Sequence, residues 1–254
     1  MNDIFEKGRK DVLLVDNSNS RTKFMFVNRG GQEGDIFIHP TAEVGPECLQ
    51  RLTCGKMPQQ VIVCSVVPRC REVLMNFFGN RAHCLSSTSP LNFDFDYPGV
   101  ATLGADRIAN VAGAVLRGRF PCVAVDFGTA VTYDVIVRRE GRPEFIGGCI
   151  APGLSVQYRA LSRDTALLPS VQVVPRERVV AGSTIEAIQA GCFRGVCGGV
   201  RELLRGIEAE LGTKPYVIAT GGDSALIANN CKLFDEVAPL LTFQGLATVA
   251  EMLP

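Results

Sequence analysis

Two polar turns, each enclosed by apolar runs, constrain this chain more than any other feature. The first, D-N-S-N-S-R-T-K, covers residues 16–23, and the second lies in C-V-A-V-D-F-G-T-A-V-T-Y, residues 122–133. Each pattern predicts a β-hairpin with an acidic, hydroxyl-rich tip. Because related turns recur roughly a hundred residues apart, the sequence indicates a duplicated unit with its ligand between the halves.

The second turn has the chemistry of a phosphate site. Gly128 removes the Cβ that would keep a ligand's oxygens from the backbone N–H groups, and Thr129 supplies a hydroxyl. Asp126, at the strand end, offers a carboxylate to a cation that would neutralise phosphate charge. An Asx-type turn in an ordinary hairpin explains the same residues without a ligand, so both interpretations stay open at this point.

Length and composition restrict the class of protein. The 254 residues suffice for two units of about 120. Lys plus Arg and Asp plus Glu both number 26, so no basic field attracts nucleic acid or an anionic membrane, and we expect neither as a partner. The ten cysteines are spread through apolar patterns with no C-x-x-C pair, which predicts reduced, mostly buried thiols in a cytoplasmic protein. The charged N-terminus does not have the pattern of a signal peptide, and no apolar run reaches membrane-spanning length.

Periodicity predicts an α/β fold in two lobes, residues 11–118 and 119–254. In the first lobe the order is β-β-β-α-β-α-β, over residues 12–16, 23–28, 35–39, 41–52, 61–65, 67–78 and 82–85. The second lobe repeats three strands, at 123–126, 131–137 and 144–150. It continues with a helix at 154–162, a long helix from 184 to 211, a strand at 216–220, a helix to 229, a strand at 233–237 and a closing helix at 242–253.

A long irregular segment, residues 86–103, precedes G-A-D-R at residues 104–107. Its aromatic residues Phe93, Phe95 and Tyr97 form a binding wall or pack onto the body of the protein. Asp106 stands in the first turn of a predicted helix. A carboxylate there can serve only to complement the helix dipole, so a structural and a functional interpretation both stay open at this point.

Two further helix starts carry polar groups. Before the long helix, Ser183 or Thr184 is a candidate N-cap, and the Thr184 hydroxyl also suits a ligand at the helix mouth. At residues 220–223, T-G-G-D joins a strand to a helix. That arrangement suits an anion, and a tight β-α turn without a ligand is the alternative.

In combination, these motifs resemble the type III pantothenate kinases, members of the superfamily that unites acetate and sugar kinases, heat-shock chaperones and actin. The resemblance runs from about Val12 to Met252. It is carried by D-N-S-N-S-R-T-K, G-A-D-R, D-F-G-T-A-V-T, G-G-C-I-A-P-G-L, T-A-L-L-P, S-T-I-E-A-I-Q-A-G, T-G-G-D and L-T-F-Q-G-L. Each motif alone is weak, and their order and spacing make the combination specific.

The resemblance implies a duplicated ribonuclease-H-like fold, a homodimer, and transfer of the ATP γ-phosphoryl group to pantothenate with Mg²⁺ and a monovalent cation, K⁺ or NH₄⁺. It makes Asp106 the catalytic base and Asp126 the ligand of the monovalent cation. It assigns ATP to Asp16, Asn17, Ser18, Asn19, Ser20, Arg21, Thr22, Lys23 and Thr129. It assigns pantothenate to Tyr97, Gly104, Ala105, Asp106, Arg107 and Thr184, the last reaching substrate across the dimer.

The chain departs from the family pattern at two positions. Ser18 stands where the family has glycine, and if that position needs a positive φ the cost is about 1 to 2 kcal/mol, with a Cβ near the phosphates. Gly182 stands where the family often has asparagine. A non-catalytic ATP-binding regulator of the transcription accessory type, or a different small-molecule kinase, is the competing hypothesis. Retention of Asp106, Asp126 and Thr129 favours the pantothenate kinase.

Overall fold

The computed structural model describes residues 12–27 and 34–253. These residues form two compact units, the first ending at Gly118 and resuming at Leu240, the second spanning Arg119–Pro239. The charged leader and Asn28, the last residue of one predicted strand, lie outside the described residues.

The first unit is built on a five-stranded sheet with helices packed against it. Its elements are β1 (Val12–Asn17), β2 (Arg21–Val27), β3 (Ile36–Pro40), α1 (Pro46–Thr53), β4 (Gln60–Ser65), α2 (Pro68–Phe78), β5 (Ala82–Cys84), β6 (Asp94–Phe95) and α3 (Ala105–Val115). The sheet order is β3-β2-β1-β4-β5, with β1 antiparallel to β2 and parallel to β4. Because β1 and β4 are continuous apolar runs, they occupy the buried centre of this sheet.

The second unit repeats this plan. Its elements are β7 (Cys122–Phe127), β8 (Ala130–Arg139), β9 (Arg142–Pro152), α4 (Leu154–Asp164), α5 (Thr184–Leu211), β10 (Tyr216–Thr220), α6 (Ser224–Asn230) and β11 (Glu236–Val237). These strands follow the order β11-β10-β7-β8-β9. On one face of the sheet, Val123, Val125 and Phe127 pack with Phe193 and Val196 of α5.

The two sheets have equivalent topologies. In each, the first strand pairs antiparallel with the second and parallel with the fourth. Asp16 and Asp126 therefore hold the same place, near the carboxyl end of the first strand of each unit. The prediction of a duplicated α/β fold with two mixed sheets is confirmed.

The closing helix, α7 (Leu241–Met252), follows the second unit in sequence, but its contacts lie in the first. It packs against α3, and two glycines allow the close approach: a Cβ at Gly113 would touch the carbonyl oxygen of Leu241, and one at Gly245 would touch that of Ala109. The sequence groups residues 240–254 with the second lobe because they come after it in the chain, and periodicity does not show which unit a helix covers.

Local chemistry changes two predicted boundaries. The helix predicted over 41–52 is a 3₁₀ turn at Thr41–Glu43 followed by α1, because Pro46 takes the first helical position, where its missing N–H costs nothing. The strand predicted over 233–237 shortens to Glu236–Val237.

The prediction that the cysteine thiols are mostly buried is confirmed. Seven of the ten thiols are buried, Cys84 and Cys149 are half-buried, Cys54 is exposed, and none forms a disulfide. Within the described parts of the chain, none of the helices combines the length and apolar character that crossing a membrane requires.

Candidate functional site

The first polar turn joins β1 to β2 and divides into an exposed tip and a buried base. Ser18, Asn19, Ser20 and Arg21 are exposed, whereas Asn17 and Thr22 at the base are 1% and 0% exposed. The Asn17 amide donates to the Thr22 hydroxyl at 2.7 Å, and the Ser65 hydroxyl donates to the Asn17 carbonyl oxygen at 2.5 Å. The buried pair thus fixes the turn, and the tip presents backbone and hydroxyl groups to solvent.

Thr41 braces the tip from the end of β3. Its hydroxyl donates to the Ser18 carbonyl at 2.7 Å, and its backbone N–H donates to the Ser20 carbonyl at 3.1 Å. The Thr41 side chain is buried. A residue about twenty positions away therefore preorganises the predicted phosphate loop, and nothing in the turn's own sequence points to it.

Ser18 does not carry the backbone strain that a positive φ would impose. Among the described residues, positive φ values outside glycine occur at Cys54 and Glu140, so Ser18 is not in the left-handed region. Its hydroxyl donates to the Arg21 carbonyl at 2.8 Å and so closes the turn. A serine therefore replaces glycine here without a conformational penalty.

Lys23 lies directly opposite Asp16 in the hairpin. The two are register partners, and the ammonium Nζ lies 3.0 Å from the Asp16 carboxylate. This ion pair holds a positive charge at the base of the predicted phosphate loop.

Asp106 stands in the first turn of α3, and Gly104 is the helix N-cap. The Asp106 carboxylate accepts the backbone N–H of Arg107 at 2.9 Å. A Cβ at position 104 would touch the same carboxylate oxygen, so glycine is what lets the side chain fold back over the helix start. The dipole interpretation of Asp106 is compatible with this geometry, because the carboxylate does lie at a helix N-terminus.

The environment of Asp106 favours a proton acceptor. Burial raises the pKa of this carboxyl above its ordinary value; the Arg107 N–H opposes that shift, and the negative charge of Asp16 adds to it. The charge of Asp16 therefore influences Asp106, although the two residues are ninety positions apart in the first unit. A buried carboxylate with a raised pKa, influenced by the charge of Asp16, makes Asp106 a candidate catalytic residue.

Other predicted substrate residues flank Asp106. Ala105 and Arg107 are buried at the start of α3, and Tyr97 is half-buried. Gly99 leaves room for the Tyr97 ring, since a Cβ there would lie 3.0 Å from a ring carbon. In the same segment Phe93 is buried and stacks edge-on against Phe95 at 5.1 Å, so this aromatic pair packs onto the protein.

The second polar turn joins β7 to β8 and presents Thr129 to solvent. The Gly128 N–H donates to the Ala130 carbonyl at 3.0 Å, and the Gly153 N–H donates to the Thr129 carbonyl at 3.0 Å. A Cβ at Gly153 would touch the carbonyl oxygen of Gly128, which explains the A-P-G sequence beneath the turn. A Cβ at Gly128 would meet nothing closer than 3.6 Å. Internal packing therefore does not require glycine there, whereas close approach of a ligand does.

Asp126 shares its register position with two threonines. It pairs with Thr132 across to β8 and with Thr220 across to β10, so the three side chains project from the same face of the sheet. Within residues 12–27 and 34–253, the Oγ1 atoms of Thr132 and Thr220 are buried and have no hydrogen-bond partner. A buried hydroxyl without a partner is costly, which points to a group that the side chains are arranged to meet.

The T-G-G-D turn is explained in part by packing. Gly221 has a φ of +91°, and a Cβ there would touch the Asp126 carboxylate and the Phe127 backbone. The Ser224 hydroxyl donates to the Gly221 carbonyl at 2.7 Å, as in a tight β-α turn. A Cβ at Gly222, in contrast, would meet nothing within 4 Å. The first glycine thus serves the fold and makes space for Asp126.

At the start of α5, Ser183 is the N-cap and accepts the Glu186 N–H at 3.3 Å. Thr184 is therefore not the cap, and it is exposed. The Gly182 N–H donates to the Glu186 carboxylate at 3.2 Å. Gly182, where the family often has asparagine, therefore still has a hydrogen-bond partner for its backbone N–H at the start of α5.

The sequence did not predict the roles of three residues near the predicted sites. Thr41 braces the first turn, and Thr132 and Thr220 stand beside Asp126. Their roles depend on strand register and on a long-range contact. The duplicated hairpin was the available signal, but the two turns differ in length by one residue, with seven positions from Asp16 to Lys23 and six from Asp126 to Thr132. Aligning the turns by sequence therefore does not reveal that Thr132 stands where Lys23 stands.

Comparison with known proteins gives a consistent family. The family model described as type III pantothenate kinase matches residues 12–206. A type III pantothenate kinase of Akkermansia muciniphila is 44% identical over 238 residues, covering 94% of this chain and 97% of that one. One of Methylacidiphilum infernorum is 37% identical over 247 residues, covering 95% and 89%.

Solved structures agree on the fold. A Campylobacter jejuni protein titled a putative Baf family transcriptional activator has a TM-score of 0.61 at 24% identity, covering 94% of this chain and 97% of that one. A putative 2-dehydro-3-deoxygalactonokinase of Sinorhizobium meliloti has a TM-score of 0.55 at 10% identity, covering 94% and 95%. An activator of 2-hydroxyisocaproyl-CoA dehydratase from Clostridium difficile, with bound ADPNP, has a TM-score of 0.54 at 14% identity, covering 95% and 94%. At these identities the likeness concerns the fold alone.

Proposed function

Because the chain belongs to the type III pantothenate kinase family, we propose that it transfers the γ-phosphoryl group of ATP to the primary hydroxyl of pantothenate, forming 4′-phosphopantothenate and ADP for coenzyme A biosynthesis. The observation that carries this proposal is the match to type III pantothenate kinases over most of the chain. The buried Asp106 carboxylate at the start of α3 supports it as the candidate base. We place this reaction in the cytoplasm.

In the proposed step, Asp106 accepts the proton of the pantothenate hydroxyl as its oxygen bonds to the γ-phosphorus. The bond from that phosphorus to the β,γ-bridging oxygen breaks, and ADP leaves. Phosphoryl transfer requires positioning and charge neutralisation more than covalent help. The raised pKa of Asp106 suits this role, because a base works best when its pKa approaches the working pH.

Binding of ATP is assigned to the exposed tip of the first hairpin and to Thr129. The backbone N–H groups of Asn19 and Ser20 and the Ser20 hydroxyl suit phosphate oxygens, and Arg21 adds a positive charge. Ser18 is proposed to shape the tip, because its N–H and its hydroxyl both donate to the Arg21 carbonyl. Asn17 and Thr22, which are buried, are proposed to shape this loop through their mutual hydrogen bond, and Asp16 and Lys23 to set its charge. Mg²⁺ would enter with ATP and neutralise phosphate charge.

Binding of pantothenate is assigned to residues around the start of α3, namely Tyr97, Gly104, Ala105, Asp106 and Arg107. Thr184, exposed at the start of α5, is proposed to reach the substrate bound to a partner copy. A homodimer is therefore part of the proposal. Several large apolar side chains of the second unit support it, because they are exposed by half or more: Ile150, Leu167, Val179, Val180 and Ile185.

Asp126 is proposed to hold the monovalent cation, K⁺ or NH₄⁺. The residues fit such a group, because the carboxylate stands in register with two hydroxyl oxygens that have no hydrogen-bond partner within the described part of the chain. A bound cation would add positive charge near the end of β7.

An ADP-release assay tests the proposal. With ATP, Mg²⁺ and K⁺, wild type is expected to release ADP in proportion to added pantothenate, and little without it. ADP release that does not respond to pantothenate would indicate a different acceptor. No release over a broad range of ATP concentrations would support the regulator, which the family relationship does not favour.

A further inference from the structure

The internal duplication provides a comparison for the cation site. Asp16 in β1 and Asp126 in β7 hold equivalent places in the two sheets. Across to the second strand of each sheet, the register partner of Asp16 is Lys23 and that of Asp126 is Thr132. Across to the fourth strand, the partners are Cys64 and Thr220. The same backbone frame thus surrounds the two carboxylates with different side chains.

In the first unit a tethered ammonium occupies this frame. Lys23 Nζ lies 3.0 Å from the Asp16 carboxylate, within hydrogen-bonding distance. In the second unit the equivalent side chain is the shorter, uncharged Thr132, which has two heavy atoms beyond its Cβ where lysine has four. The hydroxyl of Thr220 replaces the thiol of Cys64, so oxygen replaces sulfur on the other side.

The two threonine hydroxyls point to what fills this frame. Thr220 is 1% exposed, and within the described ranges its Oγ1, like that of Thr132, has no hydrogen-bond partner. A carboxylate and neutral oxygens are the ligands that hard cations prefer. The net charge of the three groups is that of one carboxylate, which matches a singly charged ion. Mg²⁺ favours near-ideal octahedral geometry and retains several waters, so this three-sided frame suits it less well.

We propose that Thr132 and Thr220 are ligands, together with Asp126, of a monovalent cation that stands in the second unit where the ammonium of Lys23 stands in the first. The inference rests on the proposed function for the presence of such a cation, and it adds the two hydroxyl ligands and the equivalence with lysine. Gly221 belongs to the same arrangement, since its lack of a Cβ makes room for the Asp126 carboxylate.

The first test measures binding without activity. At equal ionic strength, the melting temperature of wild type is expected to be higher in KCl or NH₄Cl than in tetramethylammonium chloride. At about ten times the Kd, the rise should be roughly 3 to 6 °C for a chain of this size. Equal melting temperatures in all three salts would overturn the inference.

Hydroxyl deletion assigns the ligands. Thr132→Val and Thr220→Val keep the side-chain shape and remove an unpartnered oxygen, so neither should lose stability in tetramethylammonium chloride. Each should lose at least half of the K⁺-induced rise in melting temperature. Thr213→Val, at an exposed threonine after α5, is the matched control and should keep the full rise. A full rise in both test variants, or an equal loss of stability in both salts, would refute their role as ligands.

Thr132→Lys tests the equivalence with the first unit. The new ammonium should take the place of the free cation, so the melting temperature should no longer depend on K⁺ and the pantothenate-dependent rate should persist without K⁺. A variant that still needs K⁺ contradicts the equivalence. If wild type phosphorylates pantothenate but shows no response to K⁺ in either assay, the cation inference fails and the proposed function stands. If K⁺ stabilises the protein but pantothenate is not phosphorylated, the proposed function fails and the cation inference stands.

Discussion

Asp106 combines three features at one residue: a position at a helix start, a bonded carboxylate oxygen and a raised pKa. The helix start and the Arg107 N–H favour the charged form, and burial with the charge of Asp16 favours the neutral form. The net result is that the pKa of the Asp106 carboxyl lies above that of an exposed aspartate. A base of this kind accepts a proton readily at the working pH.

Replacing this base should remove most of the activity. Asp106→Asn keeps the size of the side chain and removes the proton acceptor, so we expect kcat to fall roughly 10²- to 10⁴-fold. The coupled ADP-release assay measures the rate, and circular dichroism checks the fold. A folded variant with a rate within a few-fold of wild type would exclude Asp106 as the base.

The same substitution makes a prediction about stability and pH. Because the pKa of Asp106 is raised in the folded protein, the folded state binds its proton more tightly than the unfolded chain, and stability falls as pH rises from the ordinary aspartate range through the raised value. The Asp106→Asn variant does not lose this stability, because the asparagine side chain does not titrate. The melting temperature of Asp106→Asn relative to wild type should therefore increase as the pH rises from about 4, the ordinary aspartate value, through the raised pKa of Asp106. A difference that is constant or decreases over that range would contradict the raised pKa.

Ser18→Gly tests the departure from the family pattern. Since Ser18 has no positive φ and donates to the Arg21 carbonyl, glycine should not improve ATP binding. We expect the KM for ATP to change by less than about threefold, and the free energy of unfolding to fall by about 0.5 to 1.5 kcal/mol from the lost hydrogen bond and the more flexible unfolded chain. A tenfold or greater fall in the KM for ATP would show that the Ser18 side chain obstructs the nucleotide.

Single residues differed in how far sequence could predict them. Gly104, Asp106, Gly128 and Asp126 stand in short motifs whose chemistry is local, so their positions at a helix start or a hairpin end were predictable. Thr41 and Thr220 owe their roles to partners about twenty or more positions away. No local pattern distinguishes such a threonine from one that serves only to fill a strand.

At the scale of elements, apolar runs and turn residues predicted strands and helices well where the chain is regular. Boundaries moved where a proline or a short edge strand intervened, as at Pro46 and at β11. The placement of α7 was not accessible from periodicity, because an amphipathic helix does not specify the surface it covers. Gly113 and Gly245 specify it in the structure, through the backbone approach that they allow.

This close approach of α3 and α7 is testable. Gly245→Ala places a methyl group against the Ala109 carbonyl, so we expect a loss of about 1 to 3 kcal/mol in the free energy of unfolding. Gly206→Ala, within α5, is the matched control, because a Cβ there meets nothing within 4 Å, and it should stabilise the helix by up to about 1 kcal/mol. Equal effects of the two substitutions in urea denaturation would contradict the packing described for α7.

At the scale of the whole molecule, duplication explains why two hairpins with similar chemistry carry different residues. The shared sheet order fixes equivalent positions for Asp16 and Asp126, and the differing partners divide charge neutralisation between a lysine and a proposed cation. The sequence showed the duplication but not the register within it.

The homodimer is a prediction at this scale. Sedimentation equilibrium should give about twice the chain mass of 27.4 kDa. Leu167→Glu with Val180→Glu, at two exposed apolar positions, should shift the mass towards one chain and lower the pantothenate-dependent rate, because Thr184 would no longer reach a partner's substrate. A wild-type mass of one chain with full activity would exclude the proposed role of Thr184.

Product analysis determines whether pantothenate accepts the γ-phosphoryl group of ATP. Wild type incubated with ATP, Mg²⁺, K⁺ and pantothenate should form 4′-phosphopantothenate in a one-to-one ratio with ADP, as quantified by mass spectrometry, and Asp106→Asn should form little. ADP without phosphopantothenate, or neither product from folded wild-type protein, would contradict the account.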